Sequence, residues 1–397
     1  MKWKNKGHEF DETGRALQEK KEVYLYGAVP IAQDLIKLME WLHLGINWEV
    51  YVVDRDPAKQ KNGLCGCEVL SPEAFFNREK KDALVVICTS FAVEKEIREL
   101  LKGRLAEDIP VYSHMTFLYE QLPIYFLYAH DKVFFPSENM LPSTICNLNC
   151  RDCLNFTPYI KKHHVASLEE LKRNVDLFFK AVDRIYLFQI TGGEPLLYKD
   201  LQSLLEYIDQ NYTSQIFRLE LVTNGTVMPS DSLCAYFRDK NIHIVLDDYR
   251  RAVPERAHVH ERIREKFSEF QVSYLDNYVG KWFRMYIPQQ EHPVLSEEEL
   301  IRKFDVCGTP WCSLRAGKLS LCNYSMYADT AGICRASEDE FFDLSRYQES
   351  DKKALVEFRL RYSQKGYTEF CKQCNTWEKE NVCWCDPAIQ YEKEKEV

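Results

Sequence analysis

The chain has 397 residues, 45% of them hydrophobic, enough apolar material for two or three domains with cores of their own. Lys and Arg total 52 against 61 Asp and Glu, a formal net charge of −9, which argues against nucleic acid as the main partner. No run of about 18 apolar residues is present, so no membrane span is expected, and the basic start is followed by no apolar stretch of the signal-peptide kind. The 15 cysteines sit in cluster-type spacings, not in a small secreted scaffold, and read as reduced ligands in a cytoplasm.

In chain order, residues 1–20 are polar and read as a frayed lead-in. Residues 23–32, Val-Tyr-Leu-Tyr-Gly-Ala-Val-Pro-Ile-Ala, run from a strand into a turn. An amphipathic stretch at 33–44, a strand at 48–54, a buried-strand run at 83–88 and a helix at 93–101 follow. This alternation predicts an α/β domain with a parallel sheet over 1–125. Gly27 and its turn resemble a dinucleotide-binding turn, and Asp54 stands where a ribose-binding acid would. Val29 replaces the middle glycine, where the backbone must approach a pyrophosphate. Dinucleotide binding, nucleotide-sugar binding or partner docking, and a degenerate structural module are all open readings of this half. It resembles the small Rossmann-like domains attached to sugar-modifying enzymes. Cys65 and Cys67 are spaced poorly for a shared metal.

Residues 123–142 show no strong period and read as a linker. Beyond them helices at 167–182, 199–210 and 230–240 alternate with strands at 184–190, 216–223 and 242–247. Ser167 and Glu170 form a plausible helix entry. Such alternation predicts a parallel barrel or part of one, with chemistry at the C-terminal strand ends.

The chemistry-bearing motifs fall at those ends. Cys146-Asn-Leu-Asn-Cys150-Arg-Asp-Cys153 can fold around one corner of an iron–sulfur cube and leave the fourth iron open. A zinc knuckle with a fourth ligand elsewhere is the alternative. In Gln189-Ile-Thr-Gly-Gly-Glu-Pro-Leu, Gly192 and Gly193 let a ligand approach the backbone, and Glu194, followed by Pro195, offers an acceptor for an ammonium group. Thr223, Asn224 and Gly225 repeat the strand–turn arrangement, and Asp247, Asp248 and Arg250 close another strand.

CNLNCRDC, TGGEP and VTNG in this order resemble the radical S-adenosylmethionine (SAM) superfamily over about residues 140–275. The resemblance implies a partial (β/α)6 TIM-like barrel at 126–290 and a [4Fe–4S] cluster on Cys146, Cys150 and Cys153. Its open iron would chelate SAM, with Gly192, Gly193, Glu194 and Pro195 at the amino end. Thr223, Asn224 and Asp247 join them as cofactor-binding candidates. Reductive cleavage of SAM would give a 5′-deoxyadenosyl radical. The family usually places an aromatic residue before the third cysteine; here Asp152 stands there, with Phe156 and Tyr159 nearby as substitutes.

The C-terminal third holds Cys307, Cys322, Cys371 and Cys374, with a β-hairpin expected around Gly317. Four thiolates from two segments suit zinc or a fully ligated [4Fe–4S] cluster. The spacing resembles the Twitch domain, the half-length SPASM extension, and implies one auxiliary [4Fe–4S] cluster on these four in a Cys-rich Twitch/SPASM-like domain at 291–397. Cys312 rivals Cys307; Cys334, Cys383 and Cys385 fit neither set. The charged run from Tyr391 reads as a solvated tail.

A fully ligated cluster moves electrons, so the resemblance implies dehydrogenation or epimerisation of a carbohydrate, cyclitol or nucleotide-linked small molecule. A low-potential donor such as flavodoxin or ferredoxin would feed it. The general base is open among Asp248, Tyr249, Arg250 and the tyrosines near 274–278. Rival readings are a maturase of ribosomally made peptides, which the strand–helix alternation at 22–101 does not suit, an activase for a glycyl-radical partner, and a non-catalytic iron–sulfur or zinc protein.

Overall fold

A computed structural model describes residues 1–44, 47–240, 242–309, 311–376 and 383–391. They divide into two compact units, His8–Pro136 and Met1–Gly7 with Ser137–Val397. Among the described residues no helix is long and apolar enough to cross a membrane.

The unit His8–Pro136 is built on β1 (Glu22–Tyr26), β2 (Glu49–Val53), β3 (Val69–Leu70), β4 (Ala83–Ile87) and β5 (Val111–Ser113). They lie in the order β3-β2-β1-β4-β5, every neighbouring pair parallel. The apolar β1 and β4 are central, and Leu25, Val85 and Val86 are fully buried. The helix expected at 33–44 begins earlier and spans Pro30–Trp41, because proline serves at a first helical position whose N–H needs no partner. The lead-in expected to fray holds a helix, Asp11–Gln18, seated against helix Leu122–His130 where Gly14 meets the Tyr128 ring. Asp54 is engaged internally: it accepts from Ala28 N at 2.8 Å, from Asp56 N at 3.0 Å and from Lys59 Nζ at 3.2 Å. It thereby ties the turn after β1 to the end of β2.

The larger unit carries β6 (Phe134–Met140, from Ser137 on), β7 (Arg184–Ile190), β8 (Ile216–Thr223), β9 (His243–Asp247), β10 (Tyr274–Asn277), β11 (Trp282–Phe283), β12 (Ser313–Arg315), β13 (Lys318–Ser320), β14 (Phe341–Asp343) and β15 (Trp384–Cys385). One open sheet has the order β10-β9-β8-β7-β6-β12-β13-β14. Strands β7 to β10 are parallel, and helices Leu168–Ala181, Leu201–Tyr212, Asp231–Asp239 and Ala257–Phe270 alternate with strands β6 to β10. The hairpin around Gly317 extends this sheet: β12 joins β6 in parallel, and β13 and β14 add antiparallel. The small strand β15 pairs with β11.

The linker expected at 123–142 is instead a helix and a buried strand. In β6 the run Pro136-Ser-Glu-Asn reads as a turn, yet its polar groups find buried partners. Arg359 Nη2 donates to Ser137 O and Oγ at 3.0 Å, and Tyr327 OH to Asn139 Oδ1 at 3.1 Å. Glu138 is 0% exposed, and among the described residues neither carboxylate oxygen meets a hydrogen-bond partner. Burial pushes its pKa up to about 8, with Arg359 acting against that.

The sheet has two faces of different chemistry. Phe188 of β7 packs on Phe178 and Phe179 of helix Leu168–Ala181. Side chains alternate along a strand, so Leu187 and Gln189 stand on the face away from these helices. Their register partners there are Arg218 and Glu220 of β8, and Glu220 pairs with His243 of β9.

Candidate active site

The loop after β6 gathers the first three motif cysteines. Cys150 is buried with Leu148, Tyr249, Val253 and Ala388, and Cys146 and Cys153 pack against the same cluster. Every thiol has a polar partner. Leu148 N and Asn224 Nδ2 donate to Cys146 Sγ at 3.4 and 3.6 Å, Gln390 Nε2 donates to Cys150 Sγ at 3.5 Å, and Thr157 Oγ1 lies 3.6 Å from Cys153 Sγ. Burial pushes Cys146 up to about 12 and Cys150 higher still, the neighbouring thiols adding to both. Such sulfurs stay protonated until a cation compensates their charge, and metal uptake there releases protons. Three thiols from one loop, with amide and hydroxyl donors aimed at the sulfurs, are the donor set an iron–sulfur cube with one open iron requires.

The glycine motif is laced to this loop. Gly193 N donates to Ser143 O and Glu194 N to Ile145 O, both at 2.9 Å. A Cβ on Gly193 would stand 2.1 Å from Ile145 O, and one on Gly192, where φ is +149°, 2.7 Å from Ser143 O. The empty space of both glycines is therefore taken up by the chain's own backbone. Glu194, 1% exposed, accepts from Thr223 Oγ1 and Asn224 N at 2.8 Å and from Leu196 N at 3.0 Å. A carboxylate has about four acceptor sites, so roughly one is left for an outside donor. Burial pushes the Glu194 pKa up to about 7, these hydrogen bonds opposing it. Pro195 follows as the first residue of a short 3-10 turn. Asn224 also donates to Asn147 Oδ1 at 3.0 Å, which joins the end of β8 to the cysteine loop.

At the end of β9, Asp247 accepts from Asn277 Nδ2 at 2.6 Å and from Tyr249 OH at 2.8 Å, and burial raises its pKa. Asp248 is held at about 2 by its hydrogen bonds to Arg250. Asp248, His260 and Asp276 offer ligand atoms within 4.8 Å of one another. Arg250 and Arg264 pair with the two aspartates at 2.8 and 3.1 Å, so that cluster is already neutralised. Asp152 is the buried partner of Arg151 at 2.9 Å and of Arg284 at 2.7 Å. Phe156 packs on Tyr286 and Phe370, and Tyr159 on Tyr286 and Tyr391.

The second cysteine set lies within electrostatic reach of itself. Burial raises Cys374, Cys322 and Cys371; the charge of Cys307 adds to all three, and that of Cys371 adds to Cys374 and Cys322. Lys303 Nζ donates to the carbonyls of Cys371 and Cys374, both at 2.7 Å, and Arg361 donates to that of Cys307. Cys312 stands apart, buried beside Arg359, Glu138 and Arg361. Cys334 lies near Cys371, while Cys385 lies by Asp152 and Arg284 on the side of the first set.

Sequence reasoning passed over Gln390, Thr157 and Asn147. Residues 392–397 of the expected tail lie outside the described residues, but Gln390 and Tyr391 do not trail free. The buried Ala388 just before them marks the segment as packed, a signal that only tertiary contact reveals.

Residues 140–277 match the family model described as the Radical SAM superfamily. GTP 3′,8-cyclase of Sulfurovum sp. (strain NBC37-1) is 36% identical over 120 residues, 28% of this chain and 33% of that one. GTP 3′,8-cyclase of Haemophilus ducreyi is 37% identical over 90 residues, 22% of this chain and 25% of that one. The chain thus spans about a third or less of the length of these curated relatives. Among solved structures, BtrN in complex with AdoMet and 2-DOIA is 17% identical, covering 62% of this chain and 97% of that one at a TM-score of 0.35.

Proposed function

We propose that this chain, which carries a radical SAM domain over residues 140–277, oxidises a hydroxylated small molecule held against the face of its larger sheet that carries Gln189, Glu220 and His243. The supporting observation is the polar row across β7, β8 and β9. Gln189 Nε2 donates to Glu220 Oε1 at 2.6 Å, and His243 Nε2 lies 3.8 Å from Glu220 Oε2. Amide, carboxylate and imidazole at one level of a sheet offer the alternating donors and acceptors that vicinal hydroxyls need. The name of the curated relatives, GTP 3′,8-cyclase, points to a nucleotide substrate in those proteins. It favours a carbohydrate, cyclitol or nucleotide-linked substrate here over a peptide.

Cys146, Cys150 and Cys153 would hold the SAM-binding [4Fe–4S] cluster, and Cys307, Cys322, Cys371 and Cys374 the auxiliary one. When bound, cluster and SAM supply the 5′-deoxyadenosyl radical that removes hydrogen from a carbinol carbon. Completing the oxidation to a carbonyl requires loss of one more proton and one more electron. Glu220, whose pKa is raised by burial, would take the proton, and the auxiliary cluster that the second cysteine set would hold would take the electron. The spare acceptor site of Glu194 would hold the SAM ammonium, and a low-potential donor of the flavodoxin or ferredoxin type would start the cycle.

The test is anaerobic reconstitution with iron and sulfide, then SAM, reductant and carbon-deuterated polyols or sugar nucleotides. About eight irons per chain, four to a cluster, with deuterium in 5′-deoxyadenosine and a carbonyl product, is the expected result. Cys150→Ala should abolish deoxyadenosine formation. Deuterium transfer from a peptide alone would replace the small-molecule reading with the maturase. Deuterium transfer with inverted stereochemistry and no carbonyl would make the reaction an epimerisation. Iron without deoxyadenosine would leave a binding protein.

A further inference from the structure

The segment 383–391 returns across the cysteine loop and closes it from a side the motif does not supply. Cys150 and Gln390 bridge although 240 residues separate them. Arg151 N donates to Ile389 O at 2.7 Å, Tyr391 N to Asn149 O at 2.5 Å, and Asn149 Nδ2 to Tyr391 O at 3.0 Å. The upstream end is pinned by the β11–β15 pair, by Arg284 N on Cys383 O at 2.7 Å, and by Lys281 on Asp386 at 2.5 Å. Between these anchors Ala388 turns at φ +56° and is 0% exposed, packed with Leu148, Cys150, Tyr249 and Val253. A non-glycine residue adopts that backbone conformation only where its surroundings enforce it.

The Gln390 amide is fully committed. Its Oε1 accepts from Asn149 N at 2.8 Å, and its Nε2 donates to Ala388 O at 2.7 Å and to Cys150 Sγ at 3.5 Å. Flipping the amide would set oxygen against the Ala388 carbonyl and NH2 against the Asn149 N–H, so the network fixes which end faces the sulfur. An N–H aimed at a cluster sulfur stabilises the reduced, more negative state more than the oxidised one.

We propose that Gln390 is a positioning residue for the Cys146/Cys150/Cys153 cluster, delivered by the 383–391 strap, and that its N–H···S bond to Cys150 holds the cluster's reduction potential up. The inference rests on the reading of these cysteines as the SAM-binding cluster. No sequence spacing encodes it, and it makes electron uptake depend on a residue far outside the 140–277 domain.

The test uses the full chain, reconstituted anaerobically, as wild type, Gln390→Ala and Gln390→Glu. Gln390→Glu keeps the oxygen that Asn149 N binds and removes the donor to sulfur. Each is titrated with reductant and followed by the electron paramagnetic resonance signal that responds to SAM, which reports the cluster with the open iron. A charge-assisted hydrogen bond of ordinary strength predicts that Gln390→Ala holds about tenfold less reduced cluster, relative to oxidised, at a fixed potential, and that Gln390→Glu, which also sets a carboxylate beside the sulfur, holds less still. For one electron the tenfold change is a downward shift of about 59 mV. Variants with wild-type iron, midpoint and signal shape would overturn the proposal while leaving the cluster reading intact. Iron that does not fall in Cys150→Ala, with no SAM-responsive signal in the wild type, would sink the cluster reading itself.

Discussion

Gly193→Ala separates two roles for the glycine motif, making room for a ligand or making room for the chain's own backbone. The added Cβ would lie 2.1 Å from Ile145 O, 2.4 Å from Ile145 C and 2.8 Å from Thr144 C. All three are backbone atoms, so no side-chain rotation relieves the clash and the 143–145 segment must move. Moving it breaks the hydrogen bonds from Gly193 N to Ser143 O and from Glu194 N to Ile145 O. Two such bonds are worth about 1 kcal/mol each, and overpacking adds about 1–3 kcal/mol, so the expected cost is about 3–5 kcal/mol. Cys146 follows directly on Ile145, so iron uptake should fall with stability. The assay is urea denaturation followed by tryptophan fluorescence, beside iron content after reconstitution. A variant with an unchanged unfolding midpoint and full iron, but weakened SAM binding, would refute the backbone argument and restore the ligand-clearance role.

The other expectations are as sharp. Glu138 has a folded pKa of about 8 against an ordinary 4.5, so the native state binds the extra proton, and stability is lost as pH rises from about 4.5 through 8. Glu138→Gln cannot ionise, and its denaturation midpoints should stay flat from pH 6 to 9 while the wild type declines; parallel curves would refute the assignment. Cys307→Ser should lose about four irons per chain and Cys312→Ser none, since Cys312 lies with Glu138 and Arg359; equal loss in both would make Cys312 a ligand. Asp152→Ala removes the buried carboxylate and leaves Arg284, whose side chain is 28% exposed, to solvent, at a cost of about 1 kcal/mol. It should also lower the fraction of reducible cluster as Gln390→Ala does, and the double variant should fall short of the sum of the two.

Legibility in the sequence tracked how local each signal was. Strands 184–190 and 216–223 were read to the residue because each is an apolar run closed by a glycine turn. The helix at 168–181 was marked by its Ser167 cap, which accepts from Glu170 N at 3.1 Å. β6 was missed because Pro136, Ser137, Glu138 and Asn139 carry turn chemistry, and the partners that admit them to a core, Arg359 and Tyr327, lie far along the chain. Asp54 is legible as a special residue, while its bonds from Ala28 N and Lys59 depend on contacts that only the fold brings in. Gln390 gave no signal at all, because a single amide becomes informative only when the strap lays it on a sulfur.

Position 152 shows how a departure from a family pattern can be absorbed. An aromatic side chain there would pack by dispersion alone, whereas Asp152 brings a charge into a nearly solvent-free place and so requires cations. Arg151 and Arg284 meet it at 2.9 and 2.7 Å. Arg284 follows β11 directly, and its own N–H holds Cys383 O at 2.7 Å, so the ion pair fixes the strand on which β15 rests. The aromatic surface is supplied from elsewhere: Trp282 of β11 meets Tyr249 at 5.6 Å between ring centroids, and Tyr249 packs with Cys150 in the same cluster. A buried ion pair contributes little net stability by itself, but it fixes geometry. Here it sets the register of the strap that places Gln390 against Cys150. Asp152 is therefore tied through β11 to the 383–391 segment: without Arg284 the carboxylate would keep Arg151 but lose the ion pair that anchors it to β11.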